Sequence, residues 1–107
     1  MKKFEIRHKI INKLLFSADA ENFKVAIEKA VKEGADLKCA DLRGVNLRNA
    51  DLGGANLENA DLKNADLRDA NLRDANLEIV SLKNANLRDA NLRGADLEWT
   101  NPKWADF

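Results

Sequence analysis

The side chains here that could do chemistry are eighteen Asp and Glu, a single histidine (His8) and a single cysteine (Cys39), with no tyrosine. Nucleophilic catalysis needs a nucleophile and a base within hydrogen-bond reach of each other. His8 lies in a non-repetitive N-terminal stretch and Cys39 in the repetitive remainder, so the spacing offers no such pair. A zinc site needs a spaced Cys/His set that two residues do not supply. Gly53 and Gly54 fill two outward positions of a repeat and are not a phosphate-cradling loop. The carboxylates recur among asparagines and arginines, which disfavours a catalytic dyad and a calcium site built from stacked Asp alike. The expectation is a protein that is not an enzyme and uses no metal and no cofactor. Such a surface acts by contact, so the elements that carry it decide what it can do.

Those elements are announced by leucine. Thirteen leucines stand every fifth residue from Leu37 to Leu97. Two positions before each sits Ala, or Val at Val45 and Val80, and between them Asp or Asn, with Ser81 the exception. On an α-helix five residues advance about 500°, so the leucines would wander around the circumference. On a flat strand an odd spacing flips each leucine to the opposite face. One core can hold them all if the chain turns a corner once per block in a constant direction. Four blocks then close a coil of about 20 residues, stacking Leu37, Leu57, Leu77 and Leu97, with coils ~4.8 Å apart as in any hydrogen-bonded sheet. Leucine and the preceding alanine point inward. Asp or Asn is expected to sit outward at the corner, bonding local backbone as such residues do in turns. The sequence therefore predicts a β-solenoid.

These blocks resemble the pentapeptide-repeat family, whose motif is A-(D/N)-L-x-x, in thirteen consecutive matches from Ala35 to Trp99 over about 60% of the chain. The resemblance implies an all-β right-handed quadrilateral β-helix, here of about three and a half coils over residues 35–107. Many members have no assigned role; a minority mimic DNA and protect type II topoisomerases such as gyrase. Near the end the motif loosens: Pro102 occupies a leucine slot, and Ala105-Asp106-Phe107 returns to register with Phe in that slot.

Residues 1–34 do not repeat. Phe4 to Ile10 alternates apolar and polar and reads as a strand, Asn12-Lys13 as a turn, and Leu14-Leu15-Phe16 as a second strand. Asp19 is the expected helix N-cap, with Asn22 in the third helical position. Phe23, Ala26, Ile27, Ala30 and Val31 follow at helical spacing, and Gly34 ends the helix. A ββα leader of this kind resembles N-terminal segments of some bacterial and phage pentapeptide-repeat proteins. A solenoid end exposes apolar core and unpaired strand edges, so a β-hairpin plus amphipathic helix is expected to cap it.

With four blocks per coil, every fourth block shares a face. The residue after leucine runs Lys38, Glu58, Glu78, Glu98 on the first face, Arg43, Lys63, Lys83, Lys103 on the second, Arg48, Arg68, Arg88 on the third and Gly53, Arg73, Arg93 on the fourth. Glu58, Glu78 and Glu98 thus form a candidate acidic ladder. The basic ladders have carboxylates in neighbouring slots (Asp69 beside Arg68, Asp74 beside Arg73, Asp89 beside Arg88) and read as solvated faces. Before Gly34 the chain holds eight Lys/Arg and five Asp/Glu, and from there on ten and thirteen, so a net +3 leader precedes a net −3 repeat region.

The next outward slot of the first face runs Cys39, Asn59, Ile79, Trp99, where other faces show Asn, Asp or Gly in every regular block. Ile79 and Trp99, with Trp104 and Phe107 near the C-terminal end, form a candidate protein-interaction patch. The rings serve as a plug over the last coil, or as an interface, either an end-to-end homodimer through the C-terminal coil or a partner site.

No apolar run reaches membrane-spanning length, nothing reads as a signal peptide, and one cysteine excludes an internal disulfide. A cytoplasmic protein is expected, with no membrane partner and no direct nucleic-acid binding. The leading expectation is a rigid interaction or scaffold module for a protein partner. The alternative, on the resemblance, is a DNA-mimicking regulator of gyrase. Against it stand the near-neutral surface, where duplex phosphates carry one charge per ~1.7 Å, and a rod of only ~17 Å at the spacing of stacked strands.

Overall fold

One tight turn per block gives the five-residue period its shape. In this computed structural model, which describes residues 1–107, the N–H of each alanine-slot residue from Ala40 to Thr100 donates to the leucine carbonyl three residues before it, at 2.9–3.2 Å for the alanines. The same bond is longer at Val80 (3.3 Å) and Val45 (3.4 Å), where a β-branched side chain replaces the small one. The second residue after leucine has positive φ in all fourteen blocks from Cys39 to Trp104, between 57° and 75°. Positive φ at the third of four residues alone is the pattern of a type II turn. The left-handed region is open to Gly and tolerable for Asn and Asp. That requirement, rather than solvation alone, explains why this slot reads Asn, Asp or Gly in the regular blocks, Gly54 included.

The corner therefore lies at the two residues after leucine, beginning two positions past the Asp or Asn where the sequence suggested it. Asp or Asn sits instead where the chain is extended and pairs with the neighbouring coil. Ten parallel bridges, from Asp41–Asp61 to Asn86–Asp106, all join residues twenty apart. The expected side-chain chemistry holds at the new place: Asp41 Oδ1, Asn76 Oδ1 and their counterparts accept from the backbone N–H two residues on. Ser81 is the block without this bond. The return after twenty residues makes this a β-helix-type fold and puts every fourth block on one side, as the charge sorting assumed.

Inside, Leu37 to Leu87 and most of the alanines are buried in one continuous cluster, while Leu92 and Leu97 are half-buried. Ile6, Ile27 and Ala30 of the N-terminal segment belong to the same cluster.

That segment is a two-stranded antiparallel sheet, β1 (Lys2–Arg7) and β2 (Leu14–Ala20), followed by α1 (Phe23–Lys32). Two boundaries differ from the sequence reading. β1 ends at Arg7, and Lys9 to Ile11 form the turn rather than continuing the strand. β2 runs on to Ala20, so Asp19 lies in it, paired with Lys3. The N-cap is Asn22, whose Oδ1 accepts from Val25 N at 2.9 Å. The helix end is as expected. Gly34 has φ 74°, and the bonds Gly34 N to Val31 O and Ala35 N to Ala30 O, both 3.0 Å, form a Schellman motif.

Three bonds tie this segment to the first coil. Asp41 N donates to Arg7 O at 2.8 Å, and Lys9 N donates to Cys39 O at 2.7 Å. Asp51 N donates to Glu28 Oε2 of α1 at 2.8 Å. The N–H groups of Asp41 and Asp51 have no preceding coil to bond, and would otherwise stand as an open strand edge.

Candidate interaction corner

Cys39, Asn59, Ile79 and Trp99 occupy the left-handed turn position of four successive coils, forming one corner column. Coil-to-coil bonds hold it: Cys39 N to Glu58 O at 2.9 Å, Asn59 N to Glu78 O at 2.8 Å and Ile79 N to Glu98 O at 3.1 Å. Asn59 suits the backbone. Ile79, with φ 57°, and Trp99, with φ 63°, do not. A left-handed conformation costs an ordinary L-residue roughly 1–2 kcal/mol, and β-branched residues are true outliers there. Trp99 recovers little of that cost by burial, being 79% exposed, and about half of the Ile79 surface also stays open to solvent.

Local bracing supports the strained turn. Thr100 stands in an alanine slot, and its Oγ1 accepts from Val80 N at 3.2 Å while donating to Leu77 O. The hydroxyl thus brackets both ends of the turn that carries Ile79. This is also one of the two turns whose own bond is lengthened by valine.

The slot before this column carries the expected acidic ladder, and the structure divides it. Lys38 Nζ lies 3.5 Å from Glu58. Higher up, ligand oxygens of Glu78, Glu98 and Asp96 lie within 4.8 Å of one another, and none of the three has a salt-bridge cation. The charge of Asp96, then desolvation and a hydrogen bond with Asp96, hold the Glu78 carboxyl above its ordinary pKa, with Glu58 and Glu98 adding to the effect. Asp96 was absent from the sequence-based ladder because it belongs to the bridge slot; its side chain nevertheless joins the crowd. Exposed acids of this kind are common without an ion, and nothing else at the corner points to a metal.

The four aromatic and aliphatic patch candidates occupy three different places in the coil. Ile79 and Trp99 are consecutive in the first column. Trp104 heads the next column above Asn84, where its φ is 73° and Lys103 Nζ sits 4.9 Å from the ring centroid. Phe107 takes the leucine slot of the following block. All three rings are exposed, and Leu92 and Leu97 stay half-buried.

Four cations of the basic ladders, Arg43, Lys63, Arg68 and Arg88, have carboxylate partners, and these are not the neighbours expected. Arg43 reaches back to Asp41 at 2.8 Å, Arg68 to Asp66 at 2.6 Å and Lys63 to Asp61 at 3.7 Å, each two residues before. Asp69, Asp74 and Asp89 sit at left-handed corners and form no such pairs. The Arg43 and Arg68 guanidiniums, hydrogen-bonded to Asp41 and Asp66, hold those carboxyls below the usual carboxylate range. His8 is a turn residue: its Nδ1 accepts from Ile10 N at 3.1 Å and Ile11 N at 3.4 Å.

Sequence reasoning placed the hairpin turn at Asn12-Lys13 and missed the two isoleucines of the turn at Lys9 to Ile11. Ile10 and Ile11 are exposed, and Ile11 borders a groove of about 490 Å³ between the turn and the first coil. The signal was present as two isoleucines between Lys9 and Lys13.

The repeat geometry and the A-(D/N)-L-x-x pattern coincide with a known family. The model of pentapeptide repeats matches in eight copies, over residues 33–64, 40–78 and 70–107. The chain belongs to the pentapeptide-repeat family. Members are generally non-enzymatic structural modules. Similar solved structures are those of pentapeptide-repeat proteins. HetL of the cyanobacterium Nostoc, involved in heterocyst differentiation regulation, is 35% identical over 62% of this chain and 38% of its own, with a TM-score of 0.38. A pentapeptide-repeat protein of the Arabidopsis thaliana thylakoid lumen is 32% identical over 67% of this chain and 64% of its own, TM-score 0.33. Rfr23 of the cyanobacterium Cyanothece is 34% identical over 67% and 63%, TM-score 0.33. This chain thus spans 38% of the length of HetL and just under two thirds of the other two. No curated protein matches it. No helix of this pentapeptide-repeat protein is long and apolar enough to cross a membrane.

Proposed function

We propose that this protein is a rigid, non-enzymatic interaction module of the cytoplasm. Its rod is a right-handed quadrilateral β-helix of about three and a half coils over residues 35–107, with residues 1–34 as its cap. The twenty-residue bridges and the bonds from Arg7, Lys9 and Glu28 to the first coil support that arrangement. The docking surface is the first corner, above all Ile79 and Trp99 beside the carboxylates of Glu78, Asp96 and Glu98. The partner is a protein surface both apolar and basic, rather than nucleic acid or membrane.

A single observation carries this reading: two large apolar side chains of one corner stand exposed, in a backbone conformation that disfavours them, where every regular block of the other corners uses Asn, Asp or Gly and only Trp104 of the last block departs. Backbone preference does not account for that choice. Large aromatics and aliphatics beside a polar rim are what protein interfaces use.

The test is the double variant Ile79→Asn/Trp99→Asn, which suits the turn better than the wild type. Partners captured by the wild type are purified and titrated against both proteins. Loss of direct binding by a variant that melts no lower than wild type is expected. A purified partner bound equally by both would sink the proposal. A gyrase supercoiling assay separates the DNA-mimic alternative, which requires inhibition or protection at micromolar protein. The expected result is no effect.

A further inference from the structure

The first corner has two ends of opposite character. At the upper end stand Ile79 and Trp99 with three carboxylates that no cation neutralises. At the lower end the hairpin turn of the leader docks on the same column: Lys9 N bonds Cys39 O, and Lys9 Nζ bonds Asn59 Oδ1 at 2.9 Å. Between turn and coil lies the groove of about 490 Å³, walled by Ile11, Leu14, Leu15 and Ala35, with Lys13 and Lys38. Its only carboxylate, Asp36, is engaged, accepting from Lys38 N at 3.0 Å and Asn56 Nδ2 at 3.5 Å. One end is thus an exposed indole amid acids, and the other an apolar groove beside lysines. The same polarity holds for the whole chain, with a net +3 leader and a net −3 repeat region.

We propose that the occupant of this corner is a second copy of the chain, lying antiparallel along it. The Trp99 ring of each copy enters the groove beneath the hairpin turn of the other, and Lys13 faces the Glu78, Asp96 and Glu98 carboxylates. A two-fold axis makes both contacts at once, so the interface is closed and self-complementary, the commonest symmetry of soluble oligomers. In the middle of the corner Glu58 approaches the partner's acids, and Lys38, 3.5 Å from it, offsets its charge. Trp104 takes no part, since it lies on the next corner beneath Lys103. The inference rests on reading the first corner as a docking surface and names its partner.

Sedimentation equilibrium of the purified full chain, from micromolar to submillimolar concentration, tests it. A monomer–dimer equilibrium is expected, weakening as salt rises because the charge pairing is screened. Trp99→Asn removes the buried ring and should raise the dimer dissociation constant on the order of 30-fold, the scale of an interfacial tryptophan. Lys13→Glu and Glu98→Lys should each weaken the dimer, and the two together should restore it. In a Trp104→Phe background Trp99 is the sole indole, and its emission should shift to the blue as concentration rises. A monomer at every concentration overturns the proposal. So does a dimer indifferent to Trp99→Asn and to the charge exchange, or open-ended growth into larger species. A monomer that still loses a purified partner on Ile79→Asn/Trp99→Asn would leave the docking corner standing and remove only the second copy.

Discussion

The first and third corners of the coil share a backbone and differ in their side chains. At the turn position the third carries Asn49, Asp69 and Asp89 at φ 60–61°, and the first Cys39, Asn59, Ile79 and Trp99 at 57–63°. Before that position the third corner carries arginines, with Arg68 reaching back to Asp66 at 2.6 Å. The first carries glutamates that crowd one another above Glu58. The third corner is what the fold asks for: residues that accept a left-handed turn, beside arginines of which Arg68 and Arg88 have carboxylate partners. The first meets the same backbone requirement with residues that resist it and charges that repel. Since the fold is satisfied by either, the difference between them lies outside folding.

Breaking the shared interior should hurt both corners alike and most severely. Leu57 lies behind the first corner and Leu67 behind the third, both with no exposed surface. Leu57→Ala and Leu67→Ala should each destabilise by about 2–5 kcal/mol, the range for a leucine deleted from a packed core, read as urea midpoints. If only one of the two were costly, the corners would differ in packing beneath them, and the argument from equal backbones would weaken.

Exchanging residues at the turn position sharpens the contrast, with smaller effects of opposite sign. Ile79→Asn should stabilise by about 1 kcal/mol, and Asp69→Ile should destabilise by about 1–2 kcal/mol, since only the residue's tolerance of the left-handed region changes. Thermal melts of the two variants decide it. An Ile79→Asn variant less stable than wild type would mean that Ile79 packs usefully where it stands, and would remove the reason for assigning the corner a partner.

Much of this was legible in the spacing of a single residue type. The leucine period requires one corner per block, and sorting by fours separated an acidic face from basic ones because the chain does return every twenty residues. The position of the corner was not legible. Asx chemistry, the reason for placing it at Asp or Asn, is real at Asp41 or Asn76, but these side chains close a turn that begins after leucine. Once the left-handed slot is known, the recurring Asn, Asp and Gly explain themselves, and Ile79 and Trp99 turn from unusual residues into strained ones. Local signals misled in the leader for a similar reason. Asp19 is as good an N-cap as Asn22 by type, and pairing with Lys3 across the hairpin decides between them. The crowding of Asp96 against Glu78 was invisible because it joins different slots of different blocks.

The same contrast sets two carboxylates to respond to pH in opposite directions. Asp66, hydrogen-bonded by Arg68, has a folded pKa below its ordinary value. Its contribution to stability is therefore complete above the ordinary carboxylate pKa and lost as pH falls through the depressed one. Glu78, facing Asp96 above all, has a folded pKa above its ordinary value. Its contribution is complete below the ordinary pKa and lost as pH rises through the raised one, so at neutral pH its charge opposes folding. Asp66→Asn should lower the melting temperature at pH 7, and Glu78→Gln should raise it. Both differences should vanish in strong acid, where the native carboxyls are protonated like their amide replacements. Each should be smaller than the effect of a turn-position exchange, because the groups meet water and salt screens them. Two shifts of the same sign at pH 7 would mean that the first corner is compensated by a cation the three acids share, and its crowding would no longer set it apart from the third.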